Sequence, residues 1–163
     1  MLNLTTLRRR EWLLAAGCAT AAALTPSVWA AGAVLPAPES LADELSRALK
    51  AGQPLVVMVS LEGCPFCRVA RDNYLDPARR LDGVPIVQID MRSPAPVRDF
   101  NRGAATQDQL IREWKIKVAP TVLFFGPGGK EVAERMVGGY IEDFYAAYLE
   151  QRLKTARAAI KAA

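Results

Sequence analysis

Cys64-Pro65-Phe66-Cys67 places two thiols at i and i+3, a spacing that at the start of a helix brings both onto one face and within reach of a bond. The loop such a disulfide closes is very short. The chain-entropy model therefore allows it only about 2 kcal/mol, against roughly 3 kcal/mol for a fifteen-residue loop. The pair makes a poor staple and a good switch, although a purely structural disulfide stands as the alternative. The rest of the composition narrows the chemistry. With no histidine in the chain, Ser-His-Asp and Cys-His nucleophile pairs are excluded, as is any zinc site that needs imidazole. The third cysteine, Cys18, is far away near the N-terminus, so Cys64 and Cys67 lack the further ligands of a zinc site. Arg68 stands where covalent haem attachment needs histidine. No metal and no bound cofactor is expected.

The 163 residues suffice for one domain with its own core and not for two. Half of the net charge of +4 comes from Arg8, Arg9, Arg10 and Glu11, and the other basic residues are scattered rather than clustered with aromatics. That gives no case for a nucleic-acid partner. Residues 1–30 read instead as an export signal. Leu7–Arg10 is its positive region, Leu13–Leu24 its apolar run, and Val28-Trp29-Ala30 a small-residue cleavage pattern after Pro26. Arg9-Arg10-Glu11-Trp12-Leu13 is similar to the twin-arginine export motif, with Trp where Phe is usual. Cleavage near Ala30 would leave the CxxC pair alone in the oxidising periplasm. Two alternatives stand. An uncleaved anchor would hold the protein on the membrane facing the periplasm, since the apolar run approaches the ~20 residues needed to span it. Leu14-Ala15-Ala16-Gly17-Cys18 also has the look of a lipoprotein box that would lipidate Cys18. Against it, only about six apolar residues precede that cysteine, short of the roughly 7–15 usual in signals.

Residues 31–39 read as an extended Ala/Pro-rich linker. Ser40 then caps a helix, with Asp43 in capping-box position, an apolar stripe at Leu41, Leu45, Ala48 and Leu49, and Gly52 as its stop. Pro54–Leu61 is a continuous apolar run, the pattern of a strand buried on both faces. Glu62-Gly63 turns the chain into the CxxC helix, expected to run through Val69 and Tyr74 toward Leu75. Val84–Met91 is a second buried strand. Ser93–Ala105, with its Pro, Gly and Asn, is expected to be an irregular loop, either passive or a rim for a partner. Thr106-Gln107-Asp108-Gln109 is another capping box, opening a short helix with Leu110, Ile111 and Trp114 inward. Thr121–Phe125 is a third strand, turned by Gly126-Pro127-Gly128-Gly129 into an alternating strand, Lys130–Met136. Ile141, Phe144, Tyr145, Tyr148, Leu149 and Arg152 recur at helical spacing, with 154–163 as a helical or frayed tail. This order predicts an α/β sandwich around a central sheet of about four strands.

These residues resemble a thioredoxin-like protein across 40–153. The CxxC opens a helix directly after a buried strand, and Val118-Ala119-Pro120-Thr121 begins the later hairpin where that fold places a cis-proline facing the disulfide. Gly63-Cys64-Pro65-Phe66-Cys67, with an insert around Arg98-Asp99-Phe100-Asn101, is more narrowly similar to exported thioredoxin-like proteins of the SoxW type. The resemblance implies a three-layer sandwich, a mixed sheet flanked by helices, and thiol-disulfide oxidoreductase activity. It also implies Cys64 as nucleophile, Cys67 as resolver, Pro65, Phe66 and Glu62 in support, and Ala119, Pro120 and Thr121 at the substrate strand. Partners would be protein dithiols and disulfides, with a membrane thiol-electron transporter as the donor and the chain acting as a monomer. Reductase or relay is the first expectation and disulfide-forming oxidase the second. A non-catalytic binding module is the rival from outside the class. Two departures from the family pattern carry physical weight. Met58 occupies the strand position where ordinary thioredoxins bury an Asp, and Ala119 replaces the usual Thr before the proline. At a helix tip the unpaired N–H groups and the dipole favour the thiolate. Two pKa units of such stabilisation are worth about 2.7 kcal/mol, or roughly 60 mV toward the oxidising side, whereas attack speeds up only about threefold.

Overall fold

The computed structural model describes residues 33–139 and 142–163. The export segment with Cys18, the start of the linker and Ile141 lie outside the described residues. A central sheet of 4 strands runs in the order β2-β1-β5-β6, built from β1 (Leu55–Ser60), β2 (Ile86–Asp90), β5 (Thr121–Gly126) and β6 (Lys130–Val137). β1 is parallel to β2 and antiparallel to β5, and β5 and β6 form an antiparallel hairpin. Every residue of β1 and β5 is buried, as their unbroken apolar runs predict.

The alternation of side chains along β1 divides the core in two. Val56 and Met58 share one face with Phe124, Met136, Cys67 and the inner residues of α5 (Glu142–Lys161). Leu55, Val57 and Val59 share the other with α1 (Leu41–Lys50) and α4 (Gln107–Glu113). The three layers are thus helices, sheet and helices, the α/β sandwich expected. Both N-caps are formed. The Asp43 N–H donates to Ser40 Oγ at 3.3 Å, and Thr106 with Gln109 makes a reciprocal capping box.

The structure departs from the sequence expectation in three places. The helix after the CxxC does not stop near Leu75. α2 (Pro65–Ala70) passes through a π turn, Arg71–Leu75, into α3 (Asp76–Leu81). Pro77 supplies no N–H and its ring crowds the carbonyl four residues back, and the wider turn just before it relieves that conflict. Asp76, buried there, is held by Arg79 and Arg80 at 3.1 and 2.7 Å.

The second departure is in Ser93–Ala105, which contains a hairpin, β3 (Pro96–Arg98) against β4 (Ala104–Thr106). Asp99 makes its turn by accepting the N–H groups of Asn101 and Gly103 at 2.8 and 2.7 Å. Phe100 plugs the hairpin into the α1 side of the core, 4.6 Å from the Phe125 ring. Its ring lies so close to Gly129 that a Cβ there would stand 2.6 Å from it. Arg102 pairs with Asp43 at 2.8 Å. The Ser40 hydroxyl first, and this cation second, hold the Asp43 carboxyl below its ordinary pKa.

Third, the segment read as a linker packs in its described part. Leu35 is buried in the core, and the Gln88 N–H donates to the Pro36 carbonyl at 2.9 Å. Of the two expectations for 154–163, helical or frayed, the structure has the helix, and α5 runs on to Lys161. Tyr145, Leu149, Leu153 and Ala156 form its inner face, whereas Phe144 and Tyr148 face outward.

Ala156 is 0% exposed, and Arg157 Nε donates to Gln53 Oε1 at 2.8 Å, so the last turns belong to the fold. Ala156→Asp should lower the unfolding free energy by about 3 kcal/mol or more in denaturant titration, by burying an unpaired charge. Ala158→Asp, on the exposed side of the same turn, should change it by no more than about 0.5 kcal/mol.

Candidate active site

The buried strand β1 delivers the chain to a tight turn in which the Cys64 N–H donates to the Leu61 carbonyl at 3.2 Å. Gly63 sits in that turn at φ +74° with open space around it, a conformation that glycine adopts without steric cost. Cys64 is then the N-cap of α2 and Pro65 fills the first helical position, where a missing N–H costs nothing. A disulfide joins Cys64 to Cys67, with Cα atoms 5.3 Å apart.

The two sulfurs differ in their surroundings. Cys64 is half-buried, and its Sγ accepts the Cys67 backbone N–H at 3.1 Å. Cys67 is only 1% exposed and belongs to the core cluster with Met58 and Tyr145. Met58 is itself fully buried, so this face of the strand brings no carboxylate to Cys67.

Of the residues predicted on the hairpin, Ala119 lies beside the disulfide, and Pro120 and Thr121 follow it in the chain. The Ala119–Pro120 peptide is cis, and the Ala119 carbonyl oxygen lies 3.9 Å from Cys64 Sγ. Pro120 is buried with its carbonyl taken by the Gly138 N–H at 2.8 Å, and Thr121 Oγ1 donates to the Val118 carbonyl at 2.7 Å. Among the described residues nothing hydrogen-bonds the Ala119 N–H, although an amide here is an obligatory donor. Phe66 is 64% exposed, with its ring against Gly139, and Val118 faces Gly138. Phe66 and Val118 thus put exposed apolar surface next to Cys64 and Ala119 in the chain. Trp114 is not part of it. That ring packs 5.1 Å from Phe125 on the opposite face of the sheet, as the helical spacing predicted. Glu62 is exposed and lines a groove with both cysteines, and it has no hydrogen bond to either.

That groove, about 1000 Å³, is what the sequence reading missed. Beyond the CxxC turn its wall includes Ser60, Arg71, Gln88, Asp90 and Arg92. Arg71 Nε donates to Asp72 at 3.0 Å and its Nη1 reaches Gln88 Oε1 at 3.5 Å. Gln88 Nε2 donates to Asp90 Oδ1 at 2.9 Å. The signal was present as a polar Gln88 inside an otherwise apolar strand, and as an arginine one turn beyond Cys67. Among the described residues no group of three or more Cys, Asp or Glu is placed to hold a metal ion, and no helix is long and apolar enough to cross a membrane.

Comparison with known proteins agrees with this geometry. The family model for the thioredoxin-like domain matches residues 41–153. Over 135 residues the chain is 30% identical to the thiol:disulfide interchange protein DsbD 1 of Pseudomonas aeruginosa, covering 81% of this chain and 20% of that protein. It is also 30% identical over 109 residues to DsbD of Actinobacillus pleuropneumoniae, covering 64% of this chain and 17% of that one. The chain thus spans a fifth or less of the length of these curated relatives. The solution structure of a thioredoxin from Thermus thermophilus shares the fold, with a TM-score of 0.50 at 20% identity over 72% of this chain and 85% of that one. A disulfide-bonded pair at a helix tip, a proline hairpin beside it and a family match over most of the chain converge: this chain belongs to the thioredoxin-like domain family.

Proposed function

We propose that this protein is a thiol-disulfide oxidoreductase that exchanges disulfides with protein partners through Cys64 and Cys67. The observation that carries the reading is the asymmetry of the pair. One sulfur is reachable and held by an amide N–H at 3.1 Å, while the other is 1% exposed behind it. In the reducing direction the Cys64 thiolate attacks a partner disulfide, forming a mixed disulfide and expelling one partner thiolate. Cys67 then loses its proton and attacks Cys64 Sγ, the mixed disulfide breaks, and the second partner thiolate leaves. Two electrons pass to the partner, and the chain is left in the oxidised state described above.

The Ala119 N–H, without a hydrogen bond among the described residues, and the Ala119 carbonyl beside Cys64 suit an extended partner segment that adds to this edge by main-chain hydrogen bonds. Phe66 and Val118 supply apolar contact for a protein substrate. The relatives are thiol:disulfide interchange proteins, which supports a protein dithiol or disulfide as partner and a membrane thiol-electron transporter as donor. With the export signal read at 1–30, the proposed compartment is the periplasm, reached as a cleaved monomer of the SoxW-type branch or held there by an uncleaved anchor. A net oxidase is the second reading. Met58 withholds a buried carboxylate while an amide donor faces Cys64 Sγ, and both favour the thiolate and hence the reduced form of the enzyme.

Insulin reduction driven by dithiothreitol tests the activity. The intact chain should accelerate it, and Cys64→Ser should abolish the acceleration. An unchanged rate in that variant would leave only a binding module. Cys67→Ala, expressed in the source cell, should accumulate covalent mixed disulfides whose partners mass spectrometry names. Stability distinguishes a switch from a staple. The oxidised and reduced chains should differ by no more than about 2 kcal/mol in urea unfolding, and loss of the fold on reduction would mark a structural bridge.

A further inference from the structure

We propose that Arg71 is a positioning residue that tunes the redox equilibrium of the site by balancing the carboxylates that share the groove with Cys67. The inference rests on the oxidoreductase reading above and adds a charge that this reading does not use. The Arg71 N–H donates to the Cys67 carbonyl, so the two side chains leave one helix face a turn apart, with Cβ atoms about 5–6 Å from each other. Both line the groove. The Arg71 side chain is 19% exposed, enough cover for its charge to act through a poorly screened medium.

The charges around the groove come in equal numbers. Arg68 and Arg71 come from the CxxC helix and its π turn and Arg92 from the loop after β2, against Glu62 from the loop before the helix, Asp72 from the π turn and Asp90 from β2. From the core side Cys67 belongs to a cluster with Met58 and Ala119, which carry no charge, and with Tyr74 and Tyr145. Arg71 stands between two of the carboxylates. It binds Asp72 directly at 3.0 Å and reaches Asp90 through Gln88 at 3.5 and 2.9 Å. Gln88 and Asp90 are held in turn by the sheet and by buried Gln107, whose Oε1 accepts the Asp90 N–H at 2.7 Å. Removing the Arg71 charge leaves Asp90 in the groove and Asp72 beside it without the cation that binds one through Gln88 and the other directly.

Reduction adds two electrons to the disulfide. It takes up two protons below the thiol pKa values and fewer above them. A nearby cation stabilises whichever thiolate forms, which favours the reduced protein and raises the potential. Without Arg71 the site therefore becomes more reducing. The neighbouring Asp72 has the opposite sign, so its loss makes the site more oxidising.

The test equilibrates the intact chain, Arg71→Met, Arg71→Lys and Asp72→Asn with dithiothreitol buffers of set ratio from about pH 6 to about pH 10. Thiol and disulfide forms are counted by alkylation and mass. In Arg71→Met the equilibrium should shift about tenfold toward the disulfide once a thiolate is present, roughly 30 mV, and the break in the potential–pH plot should move to higher pH. Arg71→Lys should return to within about threefold of the parent, roughly 15 mV, and Asp72→Asn should shift in the opposite direction. Coincident potentials overturn the proposal. So does a shift of the same sign in Arg71→Met and Asp72→Asn, since a packing defect has no charge sign. A parent disulfide that no buffer reduces overturns the oxidoreductase reading with it, whereas a reducible couple indifferent to Arg71 overturns this proposal alone.

Discussion

The amide N–H of Cys67 pointing at the sulfur of Cys64, at 3.1 Å, is the contact on which the proposed chemistry depends. It exists because the chain leaves a fully buried strand, turns at a glycine and enters a helix whose first N–H groups have no helical partners. The cap that satisfies one of them is a sulfur rather than a hydroxyl. The stabilisation that ordinarily secures a helix end therefore serves here to favour a thiolate. The same three-residue spacing that permits this cap permits the disulfide, so structure and reactivity share one local geometry.

The sheet decides what surrounds that geometry. β1 is clamped between β2 and β5, which puts the CxxC turn at the end of the most buried strand and the Ala119–Pro120 peptide alongside. The two core clusters serve different purposes. One carries Cys67, Met58 and the inner face of α5, and so keeps the second sulfur dry. The other seats α1, α4 and the hairpin through Phe100 and Trp114, and so is scaffold. The polar row from Asp72 to Asp90 lies beside the first cluster, at the edge where the π turn and β2 meet the groove. A widened helical turn close to reactive residues is a recurrent device, and here Pro77 gives it a local cause.

Much of this was legible in the chain itself. Continuous apolar runs at Leu55–Ser60 and Thr121–Gly126 marked the central strands, because a strand covered on both faces has no polar side. Ser40 and Thr106 marked helix starts through the donors they satisfy. The insert was misread because its strands are three residues each, too short to show a period, and one begins with proline. Their pairing is made by a turn at Asp99 and an aromatic anchored across the molecule. Whether the last turns of α5 are helical or frayed stayed open in the sequence for a related reason. Ala156 is a small residue with no hydrophobic signature of its own, and only the neighbouring sheet and α2–α3 layer show that it is inside.

Sequence alone determined the CxxC pair, its place at a helix tip, the four strands of the central sheet and the exclusion of histidine chemistry. These follow from spacing and composition, which act over a few residues. Only the tertiary structure decided which sulfur is reachable, that Ala119 stands over Cys64, and that Arg71, Gln88 and Asp90 converge on the groove at Cys67. Those relations join residues from different strands and helices, and no local pattern encodes a distance that the packing of three layers sets.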